Sequence, residues 1–180
     1  MPSRGQIYRL KTLGLAAIAC AVMATELASR SPGTDARAGI DAFSRNCFSP
    51  RMTAEKASKA FDFANVSFDF YDLDPFTSAA PSPATGRAAT PGTDRRCEVS
   101  FKGDFSADAV TAVAARLLRE GITTPAEVPA THEKLRTSGT ALLAARRLNP
   151  RKIAVVHVGT RPGSGGIETF LNVERLRSPQ

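Results

Sequence analysis

The sequence predicts an α+β fold: an antiparallel sheet of about five strands ending in a C-terminal meander, with N-terminal helices and one helix packed on the sheet. Three observations carry that class. Apolar residues recur at helical spacing over 36–47 and 107–120. The period changes to alternation at 66–71, 96–101 and 167–176. The glycine-rich run Pro162-Gly163-Ser164-Gly165-Gly166 then joins two β-patterned segments as a hairpin.

Each element follows from local chemistry. Asp35 is placed to cap a helix beginning at Ala36, which sets Ile40, Phe43 and Cys47 on one face before Ser49-Pro50 ends it. Thr53 caps a second helix, with Ala57, Ala60, Phe61 and Ala64 inward and Lys56 and Lys59 outward. Val66, Phe68 and Phe70 alternate with Ser67, Asp69 and Tyr71, the pattern of a half-buried strand. Residues 72–95 lose that pattern. Pro75, Pro81, Pro83 and Pro91, with Gly86, Gly92 and many small residues, read as a long Pro/Ala-rich mobile loop.

Cys97, Val99 and Phe101 share one face of the next strand. Ser106 is expected to cap the clearest helix, with Val110, Val113, Ala114, Leu117 and Leu118 as its apolar stripe and Gly121 as its stop. The segment 124–127 reads as a capped single turn. Residues 140–147 read as a strand, although 141–145 would also suit a short helix; Asn149-Pro150 reads as a turn, and 152–159 (KIAVVHVG) as the strongest strand of the chain.

The first two dozen residues carry a separate signal. Arg4, Arg9 and Lys11 precede thirteen uncharged residues (TLGLAAIACAVMA) that end in Val22-Met23-Ala24. A basic start, a short apolar run and a small-x-small exit describe a bacterial export signal over residues 1–24. Thirteen residues rise only about 20 Å as a helix, too short for a hydrocarbon core of roughly 30 Å. Cleavage at Ala24 leaves residues 25–180 as one domain in the periplasm or the medium, with no membrane span. The competing lipoprotein reading cleaves before Cys20.

Export changes how charge and sulfur are read. Lys plus Arg falls from 24 to 21 against 17 acids, so the net charge falls from +7 to +4. The remaining arginines are scattered and lack interleaved aromatics, which argues against nucleic-acid binding and for a mildly basic solvated surface. Of three cysteines, Cys47 and Cys97 remain. In an oxidising compartment such a pair is most simply a structural disulfide.

No motif carries chemistry. The glycines at 159–166 lack the Lys-Ser/Thr and the following helix of a phosphate loop. His157 lies within a β run and His132 in a loop beside Glu133, without metal-ligand spacing. Asp62, Asp69, Asp72 and Asp74 read as a solvated strand end. No G-x-S-x-G elbow occurs. The sequence therefore points to no catalytic, metal or cofactor residue.

The cysteine-bearing segment 43–48, the Cys-Glu-Val-Ser-Phe strand at 97–101, Arg147-Leu-Asn-Pro150, Ala154-Val-Val156 and the block from Glu168 to Leu176 resemble a group of small exported proteins of Gram-negative bacteria. The resemblance covers about half of the mature chain, mainly 95–120 and 140–176. It implies an exported location and no assigned activity. Some members carry a succinyl-CoA synthetase β-subunit label, which this chain does not support, since it lacks the length and the phosphate loop.

The function these readings favour is a small non-catalytic periplasmic binding or accessory domain, its partner an envelope protein or a small ligand. The alternatives are a small envelope hydrolase built around His157, and a partner-binding or inhibitor protein that uses loop 72–95.

Overall fold

The computed structural model describes residues 32–63, 65–73 and 81–177. The predicted export signal, Cys20, Asp74 and the centre of the proline-rich loop lie outside the described residues. In chain order the elements are α1 (Pro32–Asn46), α2 (Ala54–Ala60), β1 (Val66–Asp72), β2 (Thr93–Lys102), α3 (Ser106–Arg119), β3 (Pro125–Ala126), α4 (Ala130–Glu133), β4 (Thr140–Asn149), β5 (Lys152–Gly163) and β6 (Gly166–Arg177). The strands form one open antiparallel sheet in the order β1-β2-β6-β5-β4-β3. The α+β class is as predicted, with six strands against the five expected.

The sixth strand is β3, where the sequence suggested a capped turn. Pro125 fixes an extended backbone that pairs with Arg146, and the Arg147 N–H donates to the Thr124 carbonyl at 2.8 Å. The β5–β6 hairpin closes as expected, with Gly163 opposite Gly166 and Ser164-Gly165 between them. Gly166 takes φ +111°, a conformation that a side chain would strain.

Three helix starts or faces differ from the expectation. α1 begins at Pro32, so Asp35 sits in its first turn, buried, and accepts from Asn65 Nδ2 at 2.8 Å. Thr53 caps α2 as predicted, accepting the Lys56 N–H. At α3 the side-chain cap comes from Asp104, whose Oδ1 accepts both the N–H and the hydroxyl of Ser106. The buried stripe of α3 is Ala109, Val113 and Leu117, leaving Leu118 71% exposed. The i, i+4, i+8 spacing sets Ala109, Val113 and Leu117 on one side of α3, and Leu118, one residue further round the helix, falls outside that stripe.

α1, α2 and α3 cover one face of the sheet. Ile40, Phe43, Phe61 and Val113 pack there against Val99, Phe101, Val156, Val158 and Leu171 in one apolar core. Cys47 at the end of α1 is bonded to Cys97 in β2, with Cα atoms 5.5 Å apart. Both sulfurs sit on core-facing positions, as predicted, and the bridge closes 50 residues.

The other face was expected to meet water, and it does not. Residues 93–101 of β2 are all buried. Part of the supposed mobile loop covers them. Thr93, Asp94 and Arg95 belong to β2, and Asp72 to β1. The Ser82 N–H donates to the Asp72 carbonyl at 2.9 Å, and the Arg96 guanidinium donates to the carbonyls of Arg87 and Ala88.

Candidate functional site

Residues directly opposite one another in an antiparallel sheet share a face. On the face away from the helices the register therefore aligns Asp69, Glu98, Asn172 and His157, then Tyr71, Arg96, Glu174 and Val155, then Lys102, Glu168 and Arg161. This is an unusual density of ionisable groups for a buried surface. Burying a charge is costly unless it is paired, and the pairing here is nearly complete.

Glu174 is the hub. Its carboxylate is fully buried and accepts from Thr93 Oγ1 at 2.7 Å, Arg87 at 3.0 Å, Asn172 Nδ2 at 3.1 Å and His132 Nε2 at 3.2 Å. Burial alone would raise its pKa. The hydrogen bonds from His132, Thr93 and Asn172 outweigh that, and the charge of Arg87 adds to them, holding the carboxyl well below the usual range.

From Glu174 the network runs outward. Arg87 reaches Glu98 Oε2 at 3.1 Å, while Arg161 reaches Glu98 Oε1 at 2.6 Å and Glu168 Oε1 at 2.6 Å. Arg96 pairs with Asp69 at 2.7 Å and lies 4.6 Å from the Tyr71 ring centre. Burial and the nearby Glu174 push the Tyr71 hydroxyl up to about 12.

Sequence reading placed most of these charges in solvent. Arg96 is buried on this face, and on the helix face Arg95, Arg175 and Asp72 are buried as well, the last bound by Arg95 and Arg175. His132, assigned to a loop, sits in α4 and is 1% exposed. The signal that could have found the second face was chemical: β2 and β6 alternate apolar residues with charges of opposite sign, placed to meet across the register.

His157, the residue on which the hydrolase alternative rests, is buried. Its Nε2 lies 3.0 Å from Thr140 Oγ1, which also accepts the Thr137 N–H. Its ring stands edge-on to Phe170, with centroids 4.8 Å apart. Burial pushes its pKa down to about 4, although Glu98 pulls the other way. The ring is neutral at neutral pH.

His157 forms one wall of a cavity of about 180 Å³, together with Arg87, Glu98, Arg161, Phe170 and Asn172. Among the described residues no serine or cysteine lines it. A second cavity of about 330 Å³ opens beside the disulfide on the helix face, with Phe48, Ile122, Leu148, Ala154 and Val173 as apolar walls. Among the described residues no three His, Cys, Asp or Glu side chains are grouped to hold a metal, and no helix is long and apolar enough to cross a membrane. Compared with protein-family models, curated proteins and solved structures, the chain matches none.

Proposed function

We propose that the chain is a small, non-catalytic binding or accessory domain that is exported and works outside the reducing cytosol. The observation that carries the reading is the state of His157. It is neutral, bonded to a turn-closing threonine, and walled by a carboxylate whose two oxygens are each held by a guanidinium. A hydrolase would use such a histidine as a base beside a nucleophile. The hydroxyl bonded to it, that of Thr140, also accepts the Thr137 N–H and so closes a turn.

The partner-binding reading of loop 72–95 finds less support. Arg87 and Arg96 tie residues 87 and 88 to the sheet, so this part of the loop acts as a structural cover. The proposed compartment rests on the N-terminal sequence pattern, and the Cys47–Cys97 bridge fits an oxidising location.

The test is direct. Protein isolated from the periplasmic fraction should begin at Thr25 and yield a Cys47–Cys97 cross-linked peptide under non-reducing digestion. It should not hydrolyse ester, amide or glycoside test substrates. Turnover that disappears in His157→Ala would replace this reading with the hydrolase one.

A further inference from the structure

The cavity beside the disulfide is an apolar hollow with a charged border. Its volume of about 330 Å³ lies at the lower end of the range of roughly 300–1,000 Å³ usual for small-molecule sites. Three large side chains of its wall, Phe48, Ile122 and Leu148, pack against the helix-face core and yet stay only partly buried. Each keeps apolar surface in water that an apolar ligand would cover.

The charges in the wall itself are met within the fold. Arg95 and Arg175 line the cavity and bind Asp72, and Arg175 binds Asp94 as well. Neither aspartate belongs to the lining. The acid of the lining, Glu120, is held by Arg116 at 2.6 Å.

The border carries charge of one sign. Arg51 follows Pro50 of the wall, Arg119 precedes Glu120, and Arg151 lies two positions beyond Asn149, all three exposed. Arg146 stands opposite Ala154 of the wall, on the same face of the sheet. None of these four arginines makes an ion pair among the described residues. An anion at this border keeps part of its hydration and gains the field of the guanidiniums, whereas a cation is repelled.

The geometry points to a binding site for a single-chain anionic amphiphile, a fatty acid. Its alkyl chain would fill the cavity, and its carboxylate would meet the border of Arg51, Arg119, Arg146 and Arg151. One chain suits the volume, and a two-chain membrane lipid would leave its second chain in water. This inference rests on the reading of the chain as a binding domain, and it supplies that domain's ligand class.

The experiment titrates isotope-labelled protein with butanoate, octanoate, dodecanoate, octanol and octylamine, following the methyl resonances of Ile122 and Leu148. Saturable shifts at both are expected with the carboxylates, the affinity rising about fourfold per added methylene until the cavity is full. Octanoate should bind more tightly than octanol, and octylamine most weakly. Added salt should weaken octanoate and leave octanol unchanged. Arg119→Glu combined with Arg151→Glu, both at exposed positions, should weaken octanoate about tenfold and leave octanol binding and the unfolding midpoint unchanged.

No shift with octanoate and dodecanoate, octylamine binding as tightly as octanoate, an affinity independent of chain length, or unchanged octanoate binding in the double variant would overturn the assignment. Co-sedimentation with phosphatidylglycerol vesicles without a response to free carboxylates would overturn it in favour of a membrane surface. Octanoate shifts confined to the cavity walled by His157 would overturn the site and leave the binding-domain reading standing. Hydrolysis of an octanoate ester by the native protein would overturn that reading itself.

Discussion

The two faces of this sheet are both buried, and they are buried by opposite means. On one face three helices lay aliphatic and aromatic side chains onto the strands and a disulfide bolts α1 to β2. On the other a short helix and the segment after residue 81 are held by hydrogen bonds and ion pairs that converge on Glu174. The apolar face is stabilised in proportion to the area it removes from water, and it tolerates small shifts. The polar face works only when every member is paired, because an unmet buried charge costs more than the pair returns. The difference teaches what each kind of packing demands. Apolar packing needs no partners for its groups, whereas the polar network leaves Tyr71 Oη, Arg96 Nε and Asn172 Oδ1 buried without a hydrogen-bond partner among the described residues.

The largest expected effect falls on the apolar face. The bridge closes 50 residues, and the chain-entropy model gives about 4 kcal/mol for a loop of that size. Cys47→Ser with Cys97→Ser should therefore lower the urea-unfolding free energy by about that amount. Loss of under 1 kcal/mol would mean that the helix core alone fixes α1.

Acid should separate the two faces next. The pKa of His157 falls from 6.5 to about 4 on folding, so between those values the unfolded chain binds the proton more readily. Its contribution is complete above about pH 6.5 and is lost as pH falls toward 4, up to about 3 kcal/mol. Glu174, depressed from 4.5, also contributes above its unfolded value and loses that contribution at more acid pH. Both slopes have the same sign. Stability measured against pH should fall in two stages, and His157→Gln should remove the first. A flat profile from 6.5 to 4 in the native chain would contradict the buried neutral ring.

Much of the apolar face was legible in the sequence and little of the polar one. The stripe Ile40-Phe43-Cys47, the cap at Thr53 and the core-facing Cys97 follow from periodicity, which reports how apolar residues sort from water. Periodicity is silent about a charge that is buried because another charge meets it. Arg96 and Asp69 lie 27 positions apart, and Arg87 and Glu174 87 apart, so their pairing exists only once the register is set. Composition is silent in the same way: the prolines and small residues of 72–95 give no sign that Arg87 and Arg96 hold residues 87 and 88 against the sheet. Of the candidate site, His157 was visible as a lone histidine. Its companions Asn172, Glu98 and Arg161 were not.

Two substitutions inside the polar face should grade its cooperativity. Glu174→Gln keeps the volume and removes the charge on which four donors converge. The amide offers one acceptor oxygen and adds donors of its own, so at least one partner is left unmet, at a cost of about 2–3 kcal/mol. Arg87→Ala should cost less, about 1 kcal/mol, because the side chain is half in solvent and Glu174 retains three donors. Its effect should be local instead. Arg87 is the side chain through which the segment grips Glu98 and Glu174, so amide hydrogen exchange should quicken over 81–92 and leave α1 and α3 unchanged. If exchange quickens across the whole sheet, the two faces unfold together and the polar cover is part of one cooperative unit. If it stays confined, the cover opens by itself, independently of the helix face.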